Sequence, residues 1–257
     1  MNIITDIVFK YWPVFPAVFV AGIVDAIAGG GGLITLPAYM LAGLPPHLAI
    51  GTNKMSSCMG TTIATCRFAK EGYINLKLAV FAVAFALAGS YTGANISLMI
   101  SNRMFKILML FILPLAAMFV LRTKSFDGNR EPYGFRKTCI LSCAIAFAIG
   151  AYDGFYGPGT GTFLILLLTS AAHMSLKEAN GLTKAINLTT NITSVVVFLY
   201  NGTVLIPLGL LAGLCNVAGN WLGVSFFDKK GSAIVKPVML LVLAVFLIRT
   251  ILELVAG

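Results

Sequence analysis

The sequence predicts an all-α polytopic membrane protein: two inverted repeats of about five helical elements each, with broken or re-entrant helices at two glycine-rich motifs. Three observations lead to this fold class. Of the 257 residues, 58% are hydrophobic and only 11% are charged, whereas soluble domains carry about 25% charged residues. Apolar stretches near the ~20 residues that cross a bilayer recur along the chain. Finally, the second half repeats motifs of the first. This composition excludes a soluble globular protein and leaves no room for a separate soluble domain.

The first copy of the repeat contains five apolar elements. Its first element follows Lys10, Tyr11 and Trp12, a cluster typical of an anchor at the membrane–water interface. Because the preceding residues lack the pattern of a cleaved signal peptide, we interpret the N-terminus as retained. The second element is short for a full span at about 1.5 Å per residue, which predicts a half-helix or hairpin arm. The elements are 13–28, 31–43, 47–69, 74–98 and 102–121.

The second copy follows the same order, again with a short second element. Its elements are 138–153, 158–171, 175–200, 203–226 and 232–255. A basic segment separates the copies and contains Arg122, Lys124, Arg130, Arg136 and Lys137 at or near its ends. We therefore divide the chain into a first transmembrane repeat, 1–122, a basic connector, 123–137, and a second transmembrane repeat, 138–257.

Matching motifs occur in the same order in both copies, which indicates an internal duplication. The matches are GIVDAIAGGGG (22–32) with GAYDGFYGPGTG (150–161), GTNK (51–54) with GLTK (181–184), EGYI (71–74) with NGTV (201–204), and AGSYTG (88–93) with AGNWLG (218–223). The first match aligns Asp25 with Asp153. Since each copy has an odd number of elements, the second copy is predicted to enter the bilayer upside down relative to the first.

The distribution of charge predicts the sides of the membrane on which the loops lie. Positive residues collect on the cytoplasmic side, so the connector is predicted to be cytoplasmic. Counting spans from it places the loop at Arg67 and Lys70 inside, and the uncharged loop at Asn201 and both termini outside. Arg103 and Lys106 would then face outward, against the rule.

Four consecutive glycines, 29–32, interrupt an apolar region. Each costs a helix about 1 kcal/mol relative to alanine, so the run predicts a break at membrane depth, where protein or a water-filled cavity must cover the backbone. The free amides and positive dipole at the start of the next helix attract anions. GPGTGT at 157–162 offers the same arrangement with added threonine hydroxyls, and such paired breaks are typical of a transporter's midplane site. Close helix packing by small residues is the alternative, which we favour for Gly93 and Gly223.

Two lysines, Lys54 and Lys184, lie in apolar elements, where an ionisable side chain costs about 2.5 to 3.5 kcal/mol on insertion scales. Each shares a helical face with polar residues three and seven positions later: Ser57 and Thr61 in the first copy, Asn187 and Asn191 in the second. One cation beside several hydrogen-bonding groups suits an anion with several oxygens. The predicted anion-binding residues are Gly30, Gly31, Gly32, Asn53, Lys54, Ser57, Gly159, Thr160, Gly161, Lys184, Asn187 and Asn191.

The aligned aspartates, Asp25 and Asp153, precede the two glycine motifs. Three roles are compatible with their positions. They can pair with the lysines as structural ion pairs, take up protons that couple transport, or form hydrogen bonds with the glycine loops that fix their shape. The sequence leaves these three roles open.

The motifs also resemble a known family. AGGGG followed by LP and GTNK, together with YDGFYGPGTG followed by TKAINLTTN, is similar to the paired motifs of the TauE/SafE family of membrane transporters, especially its small bacterial members of the YfcA type. The resemblance covers nearly the whole chain. It implies two repeats in the bacterial inner membrane that move sulfur-containing anions such as sulfite, thiosulfate or organosulfonates. Carried over, the first motif falls on Asp25, 29–32, Pro37 and 51–54, and the second on 152–161, Thr183, Lys184, Asn187 and Asn191.

The predicted mechanism is alternating access of the two repeats around a midplane anion site in the lipid bilayer. A passive anion channel lined by the same stripes is the main alternative, and dependence of the flux on a proton gradient separates the two. An intramembrane aspartyl protease, with two carboxylates sharing a proton, is a weaker alternative because no GxGD signature surrounds Asp25.

Other classes of function receive no support from the sequence. There is no G-x-S-x-G motif of a hydrolase, so we do not predict an enzyme. The excess of 18 Lys and Arg over 9 Asp and Glu is explained by membrane topology, without nucleic acid as a partner. The five cysteines lie in apolar segments without C-x-x-C spacing, and we interpret them as small packing residues; neither a metal site nor another cofactor is expected.

Overall fold

The computed structural model describes residues 3–101 and 131–230, together with Met104 and Pro237. These residues form nine α-helices and no strands. The helices are α1 (Ile3–Tyr11), α2 (Val14–Ala28), α3 (Gly32–Leu41), α4 (Pro46–Lys70), α5 (Leu76–Met99), α6 (Phe135–Phe155), α7 (Thr160–Ser170), α8 (Leu176–Tyr200) and α9 (Ile206–Lys230). The all-α prediction is therefore confirmed. The predicted elements 102–121 and 232–255 and most of the connector 123–137 lie outside the described residues, apart from Met104, Pro237 and 131–137.

Each of the other eight predicted elements corresponds to one helix, from α2 to α9 in order, with ends that differ by up to four residues. Helix α1 was not predicted as a separate element. It leads into α2 through a bend of 73° at Trp12 and Pro13, and proline is tolerated at this position because the first residues of a helix have no amide partner within it. The interfacial cluster therefore lies at a corner between two helices.

Four helices in the described part of the chain, α5, α6, α8 and α9, are long and apolar enough to cross a membrane, and α1 with α2 adds a fifth candidate if the bent pair counts as one span. The short helices α3 and α7 are apolar as well. These findings confirm a multi-pass membrane protein. Helix α4 has 25 residues but carries the polar stripe that begins at Lys54, so it falls outside the set of apolar spans.

Local sequence signals explain where several helices begin. At the start of α5, the Asn75 side chain accepts a hydrogen bond from the Leu78 amide at 3.3 Å. Helix α8 begins with a reciprocal capping box between Ser175 and Glu178. These caps satisfy amides that have no partner in the first turn.

Both glycine-rich motifs break the chain between two helices, as predicted. Helix α2 ends at Ala28, and the next residue, Gly29, has the left-handed φ of 71° that favours glycine after a helix. In the second copy, Gly157 (φ 97°) and Gly159 (φ 80°) separate α6 from α7. The loop after α7 then returns to the start of α6, where the His173 ring stacks on Tyr133 with centroids 4.0 Å apart. Helices α6 and α7 therefore form a hairpin, consistent with the prediction of hairpin arms.

Two pairs of helices pack closely through glycines. In the α5–α6 pair, a Cβ added at Gly93 would overlap the carbonyl of Ala151. In the α2–α9 pair, a Cβ at Gly223 would lie 2.5 Å from the carbonyl oxygen of Ile23. The packing role that we favoured for these two glycines is confirmed, and it matches the use of small residues between membrane helices.

The glycine contacts also give the relative directions of the helices. Gly89 contacts Phe147 and Gly93 contacts Ala151, so α5 and α6 run in the same direction. Helix α9 likewise runs parallel to α2, as its successive contacts show: Gly219 with Phe19, then Gly223 with Ile23.

Helices α4 and α8 run antiparallel in the middle of the molecule. Thr65 of α4 donates a hydrogen bond to the carbonyl of Lys184 at 3.1 Å, and Asn191 of α8 donates to Thr61 at 3.4 Å. Two clusters of buried apolar side chains surround this pair. The larger is formed mainly by α2, α3, α4, α8 and α9, and the smaller by α5 to α8. The two copies are thus interleaved, and α4 and α8 bring their polar stripes together.

Candidate functional site

A small polar cavity lies where the two glycine breaks meet the polar stripes of α4 and α8. Its volume is about 30 Å³, which is room for about two water molecules. The lining residues are Asp25, Gly29, Gly32, Asn53, Lys54, Ser57, Thr61, Asp153, Gly157, Thr160, Gly161, Asn187 and Asn191. The structure therefore brings ten of the fourteen residues predicted for the site, counting the two aspartates, to one place.

The remaining four predicted residues, Gly30, Gly31, Gly159 and Lys184, are not part of this lining. A Cβ at Gly31 would face the Ala21 carbonyl and the Asp25 side chain, both at 2.7 Å, so Gly31 is packed against the end of α2. Gly159 faces the apolar Leu33 and Phe163 side chains, and Lys184 lies fully buried beside Asp25.

Three lining residues were absent from the predicted set: Gly29, Thr61 and Gly157. Thr61 had a signal in the sequence, because it lies seven positions after Lys54 on the same helical face. Gly157 has room for no side chain, since a Cβ there would lie 2.8 Å from Asp153 Oδ1 and 2.9 Å from Lys54 Nζ. Its alignment with Gly29, the first residue of the four-glycine run, was the signal for this position.

One ion pair faces the cavity. Lys54 of α4 and Asp153 of α6 are 2.7 Å apart (Nζ to Oδ2), and their side chains are 2% and 6% exposed. The hydroxyl oxygen of Thr160 lies 2.6 Å from Asp153 Oδ1 and 2.6 Å from the carbonyl oxygen of Gly157. Asp153 thus holds both the lysine of the other copy and the start of α7.

The second ion pair lies at the edge of the cavity, with Asp25 in its lining and Lys184 behind it. Lys184 of α8 is 3.2 Å from Asp25 Oδ2 at the end of α2 and is itself fully buried, whereas the Asp25 side chain is 17% exposed. Lys184 also donates a hydrogen bond to the Asp25 carbonyl oxygen, which accepts from the Gly29 amide at 2.8 Å as well. A cation at the C-terminus of a helix interacts favourably with the helix dipole, so Lys184 stabilises the end of α2 at the glycine break.

Each lysine therefore pairs with the aspartate of the other copy. Of the three roles considered for the aspartates, structural pairing is present for both, and a contact with the glycine loop is present for Asp153 through Thr160. Taken together, the two lysines and two aspartates carry no net charge. Because each carboxylate faces a lysine, the arrangement also differs from a protease dyad, in which two carboxylates share one proton.

The two glycine breaks touch each other beside the cavity. The Thr162 amide donates to the Gly29 carbonyl at 3.3 Å, and the Thr162 hydroxyl donates to the Ala28 carbonyl at 2.8 Å. A Cβ at Gly161 would lie 2.5 Å from Gly29 Cα. Close packing therefore accounts for Gly29 and Gly161, and of the glycines predicted to offer amides, Gly32 and Gly161 reach the cavity.

Side-chain amides complete the lining. Asn187 Oδ1 is buried and has no hydrogen-bond partner within the described residues, although buried polar atoms are normally paired. Asn191 Nδ2 makes a long bond of 3.4 Å to Thr61, and Asn53 Oδ1 accepts from Ser57 at 3.5 Å. These weakly engaged groups leave the cavity with hydrogen-bonding capacity for a polar ligand.

Metal and thiol chemistry receive no support from the part of the chain that the structure describes. It contains no group of three or more His, Cys, Asp or Glu residues that could hold a metal ion. The five cysteines are free thiols. Four are buried or half-buried, which fits a packing role, but Cys66 is exposed because it lies on the outer face of α4 near its C-terminus.

Comparisons with known proteins agree with these features. The family model described as "Sulfite exporter TauE/SafE" matches residues 14–250. A probable membrane transporter protein, ORF9, from Sinorhizobium sp is 34% identical over 93% of this chain and 91% of its own length. A probable membrane transporter protein from Haemophilus influenzae is 33% identical over 87% of both chains. The probable membrane transporter protein YfcA from Escherichia coli K12 is 31% identical over 90% of this chain and 86% of its own length. No solved structure matches the chain.

Proposed function

The chain belongs to the TauE/SafE family of membrane transporters, and from this premise we propose that it is a secondary transporter that moves small sulfur-containing anions by alternating access. Sulfite, thiosulfate and organosulfonates are the proposed substrates. The proposed site is the cavity between the glycine breaks, and the proposed location is the bacterial inner membrane.

The observation that carries this proposal is the cavity-facing Lys54, surrounded by hydrogen-bonding groups from both copies. A sulfur oxyanion offers several acceptor oxygens. Lys54 supplies charge-assisted hydrogen bonds to them, and the Asn187 and Asn191 amides supply further donors.

The burial of the cation in the proposed site supports a mechanism with moving parts. The side chains of Lys54 and its partner Asp153 are only 2% and 6% exposed. An anion that binds Lys54 requires the surrounding helices to move, which is the kind of movement that alternating access involves.

The directions of the helices support an inverted repeat. In the repeat, α2 corresponds to α6 and α5 corresponds to α9. In the fold, α5 runs parallel to α6 and α9 runs parallel to α2, so each of these helices packs against a helix of the other copy. The corresponding α4 and α8 run antiparallel. If each copy alternates the direction of its helices, the second copy is oriented opposite to the first.

The experiment that tests the substrate is a series of thermal unfolding measurements on the purified protein with sulfite, thiosulfate, taurine, sulfoacetate, sulfate, phosphate and acetate. A ligand that binds only the folded state raises the unfolding temperature by mass action. We expect a rise with sulfur oxyanions and none with acetate. If no sulfur anion stabilises protein that remains folded, the sulfur assignment is wrong.

Two matched double variants test the site. Lys54→Met with Asp153→Asn, and Lys184→Met with Asp25→Asn, each remove one whole ion pair without leaving an unpaired buried charge. Because Lys54 faces the cavity and Lys184 does not, we expect the first variant to lose the thermal shift and the second to keep a larger part of it. Equal shifts in the first variant and the wild type would place the anion elsewhere.

Flux measurements in vesicles separate a transporter from a passive channel. With an imposed proton gradient, a secondary transporter coupled to protons accumulates the anion against its own concentration gradient. A channel only equilibrates it. Strictly downhill flux that is indifferent to the pH gradient would favour the channel.

A further inference from the structure

The charge balance of the cavity constrains how an anion enters it. The four charged side chains at the site, Lys54, Lys184, Asp25 and Asp153, form two ion pairs and sum to zero. An added anion would leave one uncompensated negative charge in a buried site, which is strongly unfavourable. Uptake of one proton by a carboxylate restores neutrality and releases a lysine for the anion.

The hydrogen bonds around Thr160 distinguish the two carboxylates. The Thr160 hydroxyl has one proton, yet its oxygen is 2.6 Å from both Asp153 Oδ1 and the Gly157 carbonyl oxygen. When Asp153 is ionised, the hydroxyl can donate to only one of these acceptors. When Oδ1 carries a proton, Asp153 donates to Thr160 and Thr160 donates to Gly157, so both short contacts become hydrogen bonds.

Asp25 lacks this arrangement. The residue of the first copy aligned with Thr160 is Gly32, which has no hydroxyl. In addition, Lys184 is held by the Asp25 main-chain carbonyl as well as by the carboxylate, so protonation of Asp25 would leave that lysine bonded to the end of α2. Protonation of Asp153 instead frees Lys54, the lysine that lines the cavity.

We propose, on the basis of the proposed function, that Asp153 is the proton-binding residue of this transporter and takes up about one proton for each monovalent anion that binds. The proton enters on Oδ1, the Lys54–Asp153 ion pair opens, and the ammonium group of Lys54 turns to the anion. Asp25 and Lys184 remain paired and stabilise the glycine break.

The other groups near Asp153 are consistent with this role. Charged side chains come from α4 (Lys54), α2 (Asp25) and α8 (Lys184), whereas α7 contributes the uncharged Thr160. Helix α5, which packs on α6, has Lys77 as its sole charged residue, at its distant N-terminal end. The neighbouring Tyr152 donates its hydroxyl to the Pro158 carbonyl at 2.6 Å. Lys54 is therefore the cation that responds directly to the charge of Asp153.

The test counts protons. Isothermal titration of the purified protein in buffers of different ionisation enthalpy gives the number of protons taken up per anion, with whichever sulfur anion stabilises the protein most. The anion's own protonation is the same for every variant and cancels in the differences. We expect Asp153→Asn to take up about one proton fewer than the wild type. The double variant Lys184→Met with Asp25→Asn removes the other ion pair and keeps the site neutral, so we expect it to take up as many protons as the wild type.

Thr160 provides a second, milder set of variants that leaves both ion pairs in place. Replacing the hydroxyl in Thr160→Val removes two hydrogen bonds from the protonated state and one from the ionised state. The bond lost from the ionised state is charge-assisted and the two lost from the protonated state are neutral, so the two states are affected differently. We expect the pH midpoint of proton uptake to shift in Thr160→Val and to stay near the wild-type value in Thr160→Ser.

Each outcome decides the proposal. Equal proton uptake in Asp153→Asn and the wild type, or loss of uptake in the Lys184→Met and Asp25→Asn double variant, would assign the proton to another group. If Asp153→Asn does not fold, Asp153 is still supported by uptake that persists in the double variant and whose pH midpoint shifts in Thr160→Val. An unchanged Thr160→Val profile contradicts the proposal. A wild-type protein that binds no anion refutes the proposed function itself, whereas anion binding without this difference in protons refutes the coupling alone.

Discussion

At the scale of single residues, the cavity requires glycines as well as charged and polar side chains, because several positions beside it leave no space for a Cβ. A Cβ at Gly157 would lie within 3 Å of both members of the Lys54–Asp153 pair. A Cβ at Gly161 would lie equally close to the backbone of the opposite break, at Gly29. Glycine therefore allows two interrupted helices and an ion pair to share a space that no other residue would leave open.

Gly161→Ala tests this requirement. The new methyl group would lie 2.5 Å from Gly29 Cα, 2.8 Å from the Gly29 carbonyl oxygen and 2.9 Å from Asn187 Nδ2, and the first two atoms belong to backbone that cannot easily move. We expect a loss of about 1 to 3 kcal/mol of stability, as in other overpacked interiors, seen as a lower thermal unfolding temperature. Gly134→Ala is the control, because no atom lies within 4 Å of its Cβ position and its φ is −60°. Equal unfolding temperatures for the two variants would contradict the close contact of the breaks.

At the scale of helices, local sequence accounts for most of the elements and for the breaks between them. Hydropathy and glycine content act over a few residues, so the short helices α3 and α7 and the breaks before them were predictable from the chain alone. Helix α1 was missed because its nine residues are too few for a span and include Asp6 and Lys10, so only the interfacial cluster at its end was recognised. It joins α2 through the 73° bend at Trp12 and Pro13.

The parallel pair α5–α6 allows a test of helix packing. A leucine at Gly93 would drive its side chain into the backbone of α6 at Ala151. A substitution on the protein surface usually changes the free energy of unfolding by no more than about 0.5 kcal/mol. We expect Gly93→Leu to cost more than this and therefore to lower the thermal unfolding temperature substantially. The matched control is Tyr91→Leu on the same helix, where the side chain is 58% exposed. If Gly93→Leu is no less stable than Tyr91→Leu, the close α5–α6 contact is absent in the folded protein.

At the scale of the whole molecule, the two copies are joined at both ends of the polar helices. Near the C-terminus of α4, Arg67 donates to Ser225 at 2.9 Å and lies 3.6 Å from Asp228 of α9. At the opposite end of α4, Thr52 accepts a hydrogen bond from the Leu205 amide at 2.9 Å. These contacts lie at the two ends of α4, on either side of the cavity, so they are the contacts that must open in turn if the halves rock against each other.

Sidedness is tested by labelling single cysteines in a background without native cysteines. The described contacts place the loop after α4 at the same end as the start of α6, because α5 begins at that loop and runs parallel to α6. We therefore expect Glu71→Cys and Glu131→Cys to react with an impermeant thiol reagent from the cytoplasmic side and Asn201→Cys from the opposite side. All three positions are exposed. Reaction of Glu71→Cys and Asn201→Cys from the same side would refute the inverted topology.

The sequence by itself determined the all-α membrane class, the positions of the helices around the breaks, and most of the residues that line the cavity. It did so because hydropathy, glycine runs and buried charges are local properties, and the duplication showed each of them twice. Ten of the fourteen predicted site residues meet at one cavity for this reason. A stripe such as Lys54, Ser57 and Thr61 can be recognised on a helix without knowing what faces it.

Only the tertiary structure decided which charges pair and which of them face the cavity. Lys54 and Lys184 are equivalent in the repeat, yet Lys54 lines the cavity with Asp153, whereas Lys184 is buried behind Asp25 at the end of α2. The copies also differ at one aligned position, which is Gly32 in the first copy and Thr160 in the second. The hydrogen bonds of the Thr160 hydroxyl depend on its distances to the oxygens of Asp153 and Gly157, which only the folded structure gives. Helical periodicity specifies the face on which a residue lies, but the helix that meets this face is set by packing between segments far apart in the chain.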